Sequence, residues 1–298
     1  MVRGAFWDLA VNVRHGHTTV GDVRALITAA KESGYRGIAL NTTVSGRLEP
    51  GHTCSTRALV VVDPELAGTQ APLDATSPVN TVLTPSFRPA FRVLHRLTVR
   101  VQEAADLYVF NAANESLLSY DILAVEVSEE KLLQQAMLLD CIDLISFPSA
   151  TRASFQLKRT QVHACAKRGI LFELSLASLL TRDQVARRYA LQNSRTVCQR
   201  TNRGSRCVLV SGAESPMQMR GPLDMANLAC VLFGMSEANS IASVSSFAEF
   251  VIRHAEYRRV TGGKGACWIG KIASPEAVPR MDDTETVQNS KSEDHGSA

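Results

Sequence analysis

Short apolar runs alternate along the chain with stretches whose apolar residues recur every three to four positions, the rhythm of a strand followed by an amphipathic helix. Phe6–Val11 is the first such run. Thr19 then stands as a helix cap, Val23, Leu26, Ile27 and Ala30 fall at helical spacing, Gly34 ends the helix and Ile38–Leu40 begins the next strand. The unit returns with Asp121–Val125 as strand, Ser128 as cap, Leu132, Leu133, Ala136 and Met137 as the buried stripe, and Ile142–Phe147 as the strand that follows. A third copy has a helix around Leu157–Arg168, a stop at Gly169 and the strand Ile170–Leu174. Thr181–Gln184 has the form of a capping box opening a long helix toward Arg200, ahead of the strand Cys207–Val210. With Leu59–Val62 and Leu97–Val101 the pattern predicts eight strands. Their apolar residues are continuous rather than alternating, so both faces of the sheet must be covered. The fold class is α/β: a TIM-barrel-like parallel β/α barrel with its helices outside, with an open doubly wound sheet as the second architecture.

Two stretches break the rhythm. Residues 64–89 are rich in Pro, Thr and Ser and read as an insertion loop, and from Lys271 the chain turns polar and acidic, reading as a disordered tail over 271–298. The barrel is therefore expected over residues 1–270. Hydrophobic residues make up 45% and charged residues 20% of the 298, ordinary globular usage that excludes a wholly disordered chain or a coiled coil. Seven scattered cysteines with no CxxC pair predict reduced thiols in a reducing compartment, not a disulfide framework or a zinc finger. No secretory leader pattern opens the chain and no apolar run reaches the ~18 residues of a membrane span, so a soluble intracellular protein with no membrane partner is expected.

The net charge of +3 conceals a segregation. Residues 1–150 hold 12 basic against 16 acidic side chains, whereas residues 151–220 hold 13 against 3. Arginine predominates in that basic stretch. Guanidinium groups bind phosphate in bidentate fashion, and each phosphate neutralised releases condensed counterions, so the stretch predicts a salt-dependent polyanion-binding face. A second run, Arg88, Arg92, Arg96 and Arg100, lies in a span without acids; Pro85 and Pro89 disfavour a helix there, and these arginines are expected to reach outward from an extended segment.

Autonomous chemistry is harder to find. His15 and His17 flank Gly16 and could share a divalent ion, but they stand in an expected loop without identified carboxylate partners. Glu126, Asp143 and Glu173 fall at or near strands, where a barrel carboxylate can act as base or ligand. Asp143, near the start of its strand, suits a structural hydrogen bond, and Glu173 suits either a site or a satisfied core carboxylate. Ser211–Ser215 is no nucleophile elbow, and neither a Walker loop nor GxGxxG is present.

Longer motifs carry a resemblance. Gly34–Asn41, Arg96-Leu97-Thr98, Tyr120–Val125, Leu157-Lys158-Arg159, Lys167–Glu173, Ser211–Glu214, Met219–Leu228 and Leu232–Ser236 together resemble the roughly thirty-kilodalton protein subunit family of ribonuclease P and ribonuclease MRP, over about Phe6 to Arg259. The resemblance implies a TIM-barrel-like fold related to the polymerase and histidinol phosphatase hydrolases. Those carry Asp-Leu-His-x-His on the first strand, with metal-binding histidines; this chain reads Asp8-Leu9-Ala10-Val11-Asn12. Ala10 and Asn12 do not replace two imidazoles, so no catalytic residue and no bound metal or cofactor is expected in the chain itself. The implied role is a non-catalytic, RNA-binding subunit that supports a catalytic RNA, carrying its own magnesium, in removing the 5′ leader from precursor tRNA. The implied partners are the ribonuclease P and MRP RNAs, precursor tRNA, a small α/β protein subunit and other particle proteins, in the nucleus and nucleolus. Expected phosphate contacts are Lys158, Arg159, Lys167, Arg168, Arg187, Arg188 and Arg220, with Arg92 and Arg96 in second place. The alternative is a metal-dependent phosphoesterase of the same barrel superfamily using His15, His17 and Glu126.

Overall fold

The computed structural model describes residues 5–14, 17–49, 52–62, 91–111, 114–148 and 151–260. Within them, seven parallel strands follow one another in chain order as a nearly closed barrel ringed by helices: β1 (Trp7–Asn12), β2 (Gly37–Ser45), β3 (Arg92–Val101), β4 (Ile122–Val127), β5 (Leu144–Ser146), β6 (Leu171–Ser175) and β7 (Cys207–Val210). The predicted insertion and the acidic tail lie outside the described residues, as do His15 and Arg88.

Local chemistry sets the helix ends. α1 (Val20–Glu32) opens on a capping box in which Thr19 and Asp22 satisfy each other's backbone N–H groups, and it closes before Gly34, whose φ of 90° suits glycine. α2 (Ser55–Val62), α3 (Glu115–Leu118), α4 (Glu130–Ala136) and α5 (Arg159–Lys167) follow in order. α6 (Gln184–Arg200) is capped by Asp183, whose Oδ1 accepts the Val185 N–H at 2.8 Å, rather than by Thr181. α7 (Pro222–Leu228), α8 (Glu237–Val244) and α9 (Ser246–Val260) complete the set, with a π-helical turn at Ala229–Phe233 between α7 and α8.

Leu59–Val62, expected as a strand, is the second half of α2. β2 pairs directly and in parallel with β3 over nine residue pairs, Gly37↔Arg92 to Ser45↔Arg100. A parallel pair needs a crossover between its strands, and with both edges taken no strand could enter there, so topology overrides the β-propensity of a Val run.

The ring closes between β7 and β1 through the residues just past β7. Gly212 N–H donates to Ala10 O at 2.9 Å and Asn12 N–H to Ala213 O at 2.8 Å, while Asp8 Oδ1 accepts from Ala10 and Ser211 N–H. Gly212 sits at φ 64°, and a Cβ there would lie 2.7 Å from both Ala177 Cβ and Ser175 Oγ, so the closure needs glycine. At the opposite end α9 runs across the N-terminal strand ends. Arg258 Nη2 donates to Asp121 O at 2.9 Å and to Asp143 Oδ2 at 3.0 Å, and Arg92 pairs with Glu256 at 2.7 Å. The barrel's apolar layer lies between strands and helices, with Val23, Leu26, Ile27 and Ala30 of α1 and Cys165 of α5 buried against it.

Candidate nucleic-acid interface

Two regions of the barrel hold the chemistry predicted from the sequence. The first is the mouth at the C-terminal strand ends, a cavity of about 330 Å³. Strand parity turns Arg96, Thr98 and Arg100 of β3 into it. Arg96 is wholly buried: Nη1 donates to Leu9 O at 2.9 Å, Nε to Thr98 Oγ1 at 3.2 Å, and the guanidinium forms an ion pair with Glu173. Above it Arg100 Nε donates to Glu126 Oε1 at 2.8 Å. Asn12 Nδ2 donates to Gly212 O, Asn41 Nδ2 to Asn12 Oδ1 and Thr98 Oγ1 to Asn41 Oδ1 at 2.6 Å.

These residues do not fit a metal site of the kind a phosphoesterase would need here. Ala10 offers no donor atom, the Asn12 amide is engaged by Asn41 and Gly212, and both mouth glutamates face guanidinium groups. His17 is exposed, its N–H donating to Arg14 O at 3.2 Å, and Glu126 pairs with Arg100 rather than with an imidazole. Among the described residues no group of three or more His, Cys, Asp or Glu side chains is placed to hold an ion. Burial pushes the Cys141 thiol up to about 11 and the Cys165 and Cys207 thiols up to about 12, so these cysteines are protonated packing residues.

One arginine expected to face RNA is corrected by this geometry. Arg96 points into the barrel and not outward, because its side chain shares the inward parity of Thr98 and Arg100; at 1% exposure it reaches no external phosphate. Arg92, at the start of β3, is half-buried between Glu256 and the Trp7 ring, whose centroid is 5.8 Å from its guanidinium carbon.

The second region is the surface of α5, α6 and their loops. The stretch 151–220 contains three acids: Glu173 pairs with Arg96 of β3, Glu214 pairs with Arg14 at 2.6 Å, and Asp183 stays at the α6 N-terminus as its cap. Acids from the preceding unit do approach two of the candidates, Glu130 beside Lys158 at 2.5 Å and Asp140 beside Arg168. Such exposed pairs are weak and screened by salt, so a phosphate can replace the carboxylate. Arg159, Arg187 and Arg188 are exposed and make no ion pair among the described residues; Lys167 is exposed too. Arg220 is exposed, its Nη1 donating to Met217 O and Met219 O, while its own carbonyl accepts from the Tyr35 hydroxyl at 2.8 Å.

Residues 5–260 match the family model described as RNase P subunit p30. The chain belongs to that family. It is 30% identical to ribonuclease P protein subunit p30 of Mus musculus over 262 residues, 87% of this chain and 89% of the mouse protein. To the ribonuclease P/MRP protein subunit RPP1 of Saccharomyces cerevisiae it is 28% identical, covering 67% of this chain and 68% of the yeast protein. Its fold is that of a chain in the cryo-EM structure of archaeal ribonuclease P with mature tRNA, with a TM-score of 0.59 at 15% identity over 84% of this chain and 92% of that one.

For this p30 family member, the turn between α6 and β7 is the feature least visible in sequence. Asn202, Arg203 and Arg206 hold φ angles of 52°, 57° and 63°, and Gly204 holds 87°. A left-handed non-glycine residue costs on the order of 1–3 kcal/mol, so the surrounding structure must impose the conformation. Asn239 of α8 does so, its Nδ2 donating to Asn202 O at 3.3 Å and Arg203 O at 3.1 Å, with the Ser236 N–H donating to Arg203 O at 3.1 Å. The run Asn202–Arg206 carries a turn composition, but nothing in it marks arginine at left-handed positions.

Proposed function

We propose that this chain is a non-catalytic, RNA-binding protein subunit of ribonuclease P and ribonuclease MRP, acting on the catalytic RNA that removes the 5′ leader from precursor tRNA. One observation carries the RNA-binding role: the arginines of α5 and α6 stand exposed, while two of the three acids of residues 151–220 pair with arginines from outside that stretch and the third, Asp183, is occupied as the α6 N-cap. Phosphate contacts of this kind position a structured RNA without reading its sequence, which suits a subunit that shapes and steadies a folded RNA. Arg159, Arg187, Arg188, Lys158, Lys167, Arg168 and Arg220 supply the contacts. Magnesium belongs to the RNA in this reading, and both glutamates of the barrel mouth are taken up by arginines. The protein partners are the small α/β subunit and other proteins of the particle, and the place of work is the nucleus and nucleolus; membership of such a particle is in keeping with the names of the mouse and yeast relatives, each a protein subunit.

Ultraviolet crosslinking of the assembled particle, followed by mapping of RNA-linked peptides, tests the proposal. RNA adducts are expected on peptides within residues 158–220. Protein crosslinks across that span with no RNA adduct on it would overturn the reading in favour of a scaffold that meets acidic proteins.

A further inference from the structure

A groove of about 300 Å³ separates α5 from the left-handed turn after α6. Arg159 and His163, four residues apart on one face of α5, line one side, and Arg200 and Arg206 line the other. Among the described residues no carboxylate lines it. We infer that this groove is a binding site for a backbone phosphate of RNA, clamped between Arg159 and Arg206. The inference rests on the RNA-binding role proposed above and assigns it a discrete point of attachment.

The strain in the turn says what the site is for. Glycine would adopt φ 63° freely, yet position 206 holds arginine, and within the described residues the fold gives its side chain no hydrogen bond or ion pair. Its backbone carbonyl accepts the Phe172 N–H at 3.2 Å, so the β6–β7 ladder needs the backbone of residue 206 and not its guanidinium. The strained conformation therefore holds a half-buried side chain in the groove lining with its guanidinium unengaged by the described residues. Arg200, the last residue of α6, is steered by a hydrogen bond from Nη2 to Gln156 Oε1 at 3.1 Å. Cations gathered without a counter-charge repel one another, and an anion in the groove relieves that repulsion.

The shape of the surrounding charge favours RNA over a phosphorylated protein. Arg187 and Arg188 lie on the same helix as Arg200, roughly 18 Å along the axis at 1.5 Å per residue. Exposed guanidiniums thus recur over several phosphate spacings, matching a polymer of phosphates and not one modified side chain.

Filter binding of the full chain to a transcribed ribonuclease P RNA across a salt titration tests the site. Arg206→Gly is expected to weaken binding about tenfold and to lower the salt slope by roughly one ion, while the melting temperature does not fall. Loss of binding together with retained or raised stability is the signature of an arginine held in strain for its side chain. Should the glycine variant melt lower than the parent, Arg159→Gln, which leaves the strained backbone untouched, tests the groove through its own affinity and slope, with the same losses expected. Unchanged affinity and slope in both variants, while Arg187→Gln/Arg188→Gln weakens binding, overturns the groove and leaves the RNA-binding role standing. Unchanged affinity in all of them overturns both.

Discussion

Asp143→Asn should loosen the helix that seals the lower end of the barrel. The Asp143 carboxylate is wholly buried and ties β4 to α9: Oδ2 accepts the Leu123 N–H at 2.8 Å and Arg258 Nη2 at 3.0 Å, and Oδ1 accepts His254 Nδ1 at 2.8 Å and Arg258 Nε at 3.3 Å. Burial alone would raise its pKa. Arg258 and His254 outweigh that effect and hold the carboxyl below the usual carboxylate range. Asparagine keeps the shape and one acceptor but removes the charge opposite Arg258, which is only 7% exposed. Breaking a buried pair from one side costs about 3–5 kcal/mol, a large part of the 5–15 kcal/mol that stabilises a typical domain. At about 2–4 °C per kcal/mol for a chain of this size, the melting temperature should fall by roughly 10 °C. Urea and thermal unfolding followed by circular dichroism read the loss, and amide exchange in α9 should quicken selectively. Since the folded-state pKa is lowered, the stabilisation is present above the ordinary value near 3.9 and lost as pH falls through the folded value, so the gap between parent and variant should narrow in acid. A variant within about 1 kcal/mol of the parent at pH 7 would refute the claim that this carboxylate anchors α9.

Two more changes probe the barrel interior. Glu173→Gln leaves the buried Arg96 with Leu9 O and Thr98 Oγ1 as partners and should cost about 2–4 kcal/mol in urea unfolding; Arg96→Met/Glu173→Met should recover most of it, and a harmless single variant would show that the pair is immaterial. Asp8 is pushed up to about 6, first by burial and despite the Ser211 and Ala10 N–H groups it accepts. An acid raised in the fold stabilises fully below its unfolded value and loses that contribution as pH rises through the folded one. Asp8→Asn should therefore match the parent near pH 4 and exceed it by up to about 3 kcal/mol above pH 6, and an equal difference at both pH values would refute the assignment.

How much the chain reveals by itself depends on how far apart the interacting groups lie. The Thr19–Asp22 capping box, the stop at Gly34 and the stripe Val23–Ala30 join residues within one or two helical turns, and all are legible in order along the sequence. The Ala10 and Asn12 substitutions are legible too, because the family motif is contiguous. Arg96 was not legible as an interior residue because spacing alone does not say which parity of a strand faces inward, and charge normally argues for the outside. Arg96 is admitted to the interior only because Glu173 of β6, three strands later in chain order, arrives opposite it.

From its own residues the chain determined a repeating β/α unit, a first strand without metal-binding histidines and a stretch of thirteen cations with three acids. These follow from local periodicity, residue identity and arithmetic. Tertiary structure decided which cations stay available. Lys158 and Arg168 meet Glu130 and Asp140 from the preceding unit, whereas Arg159, Arg187 and Arg188 stand exposed, since an ion pair depends on distance in space and parallel crossovers bring distant segments side by side. The same packing turned the Val run of α2 into a helix and bent Arg206 into a left-handed turn, where no local preference would have placed it.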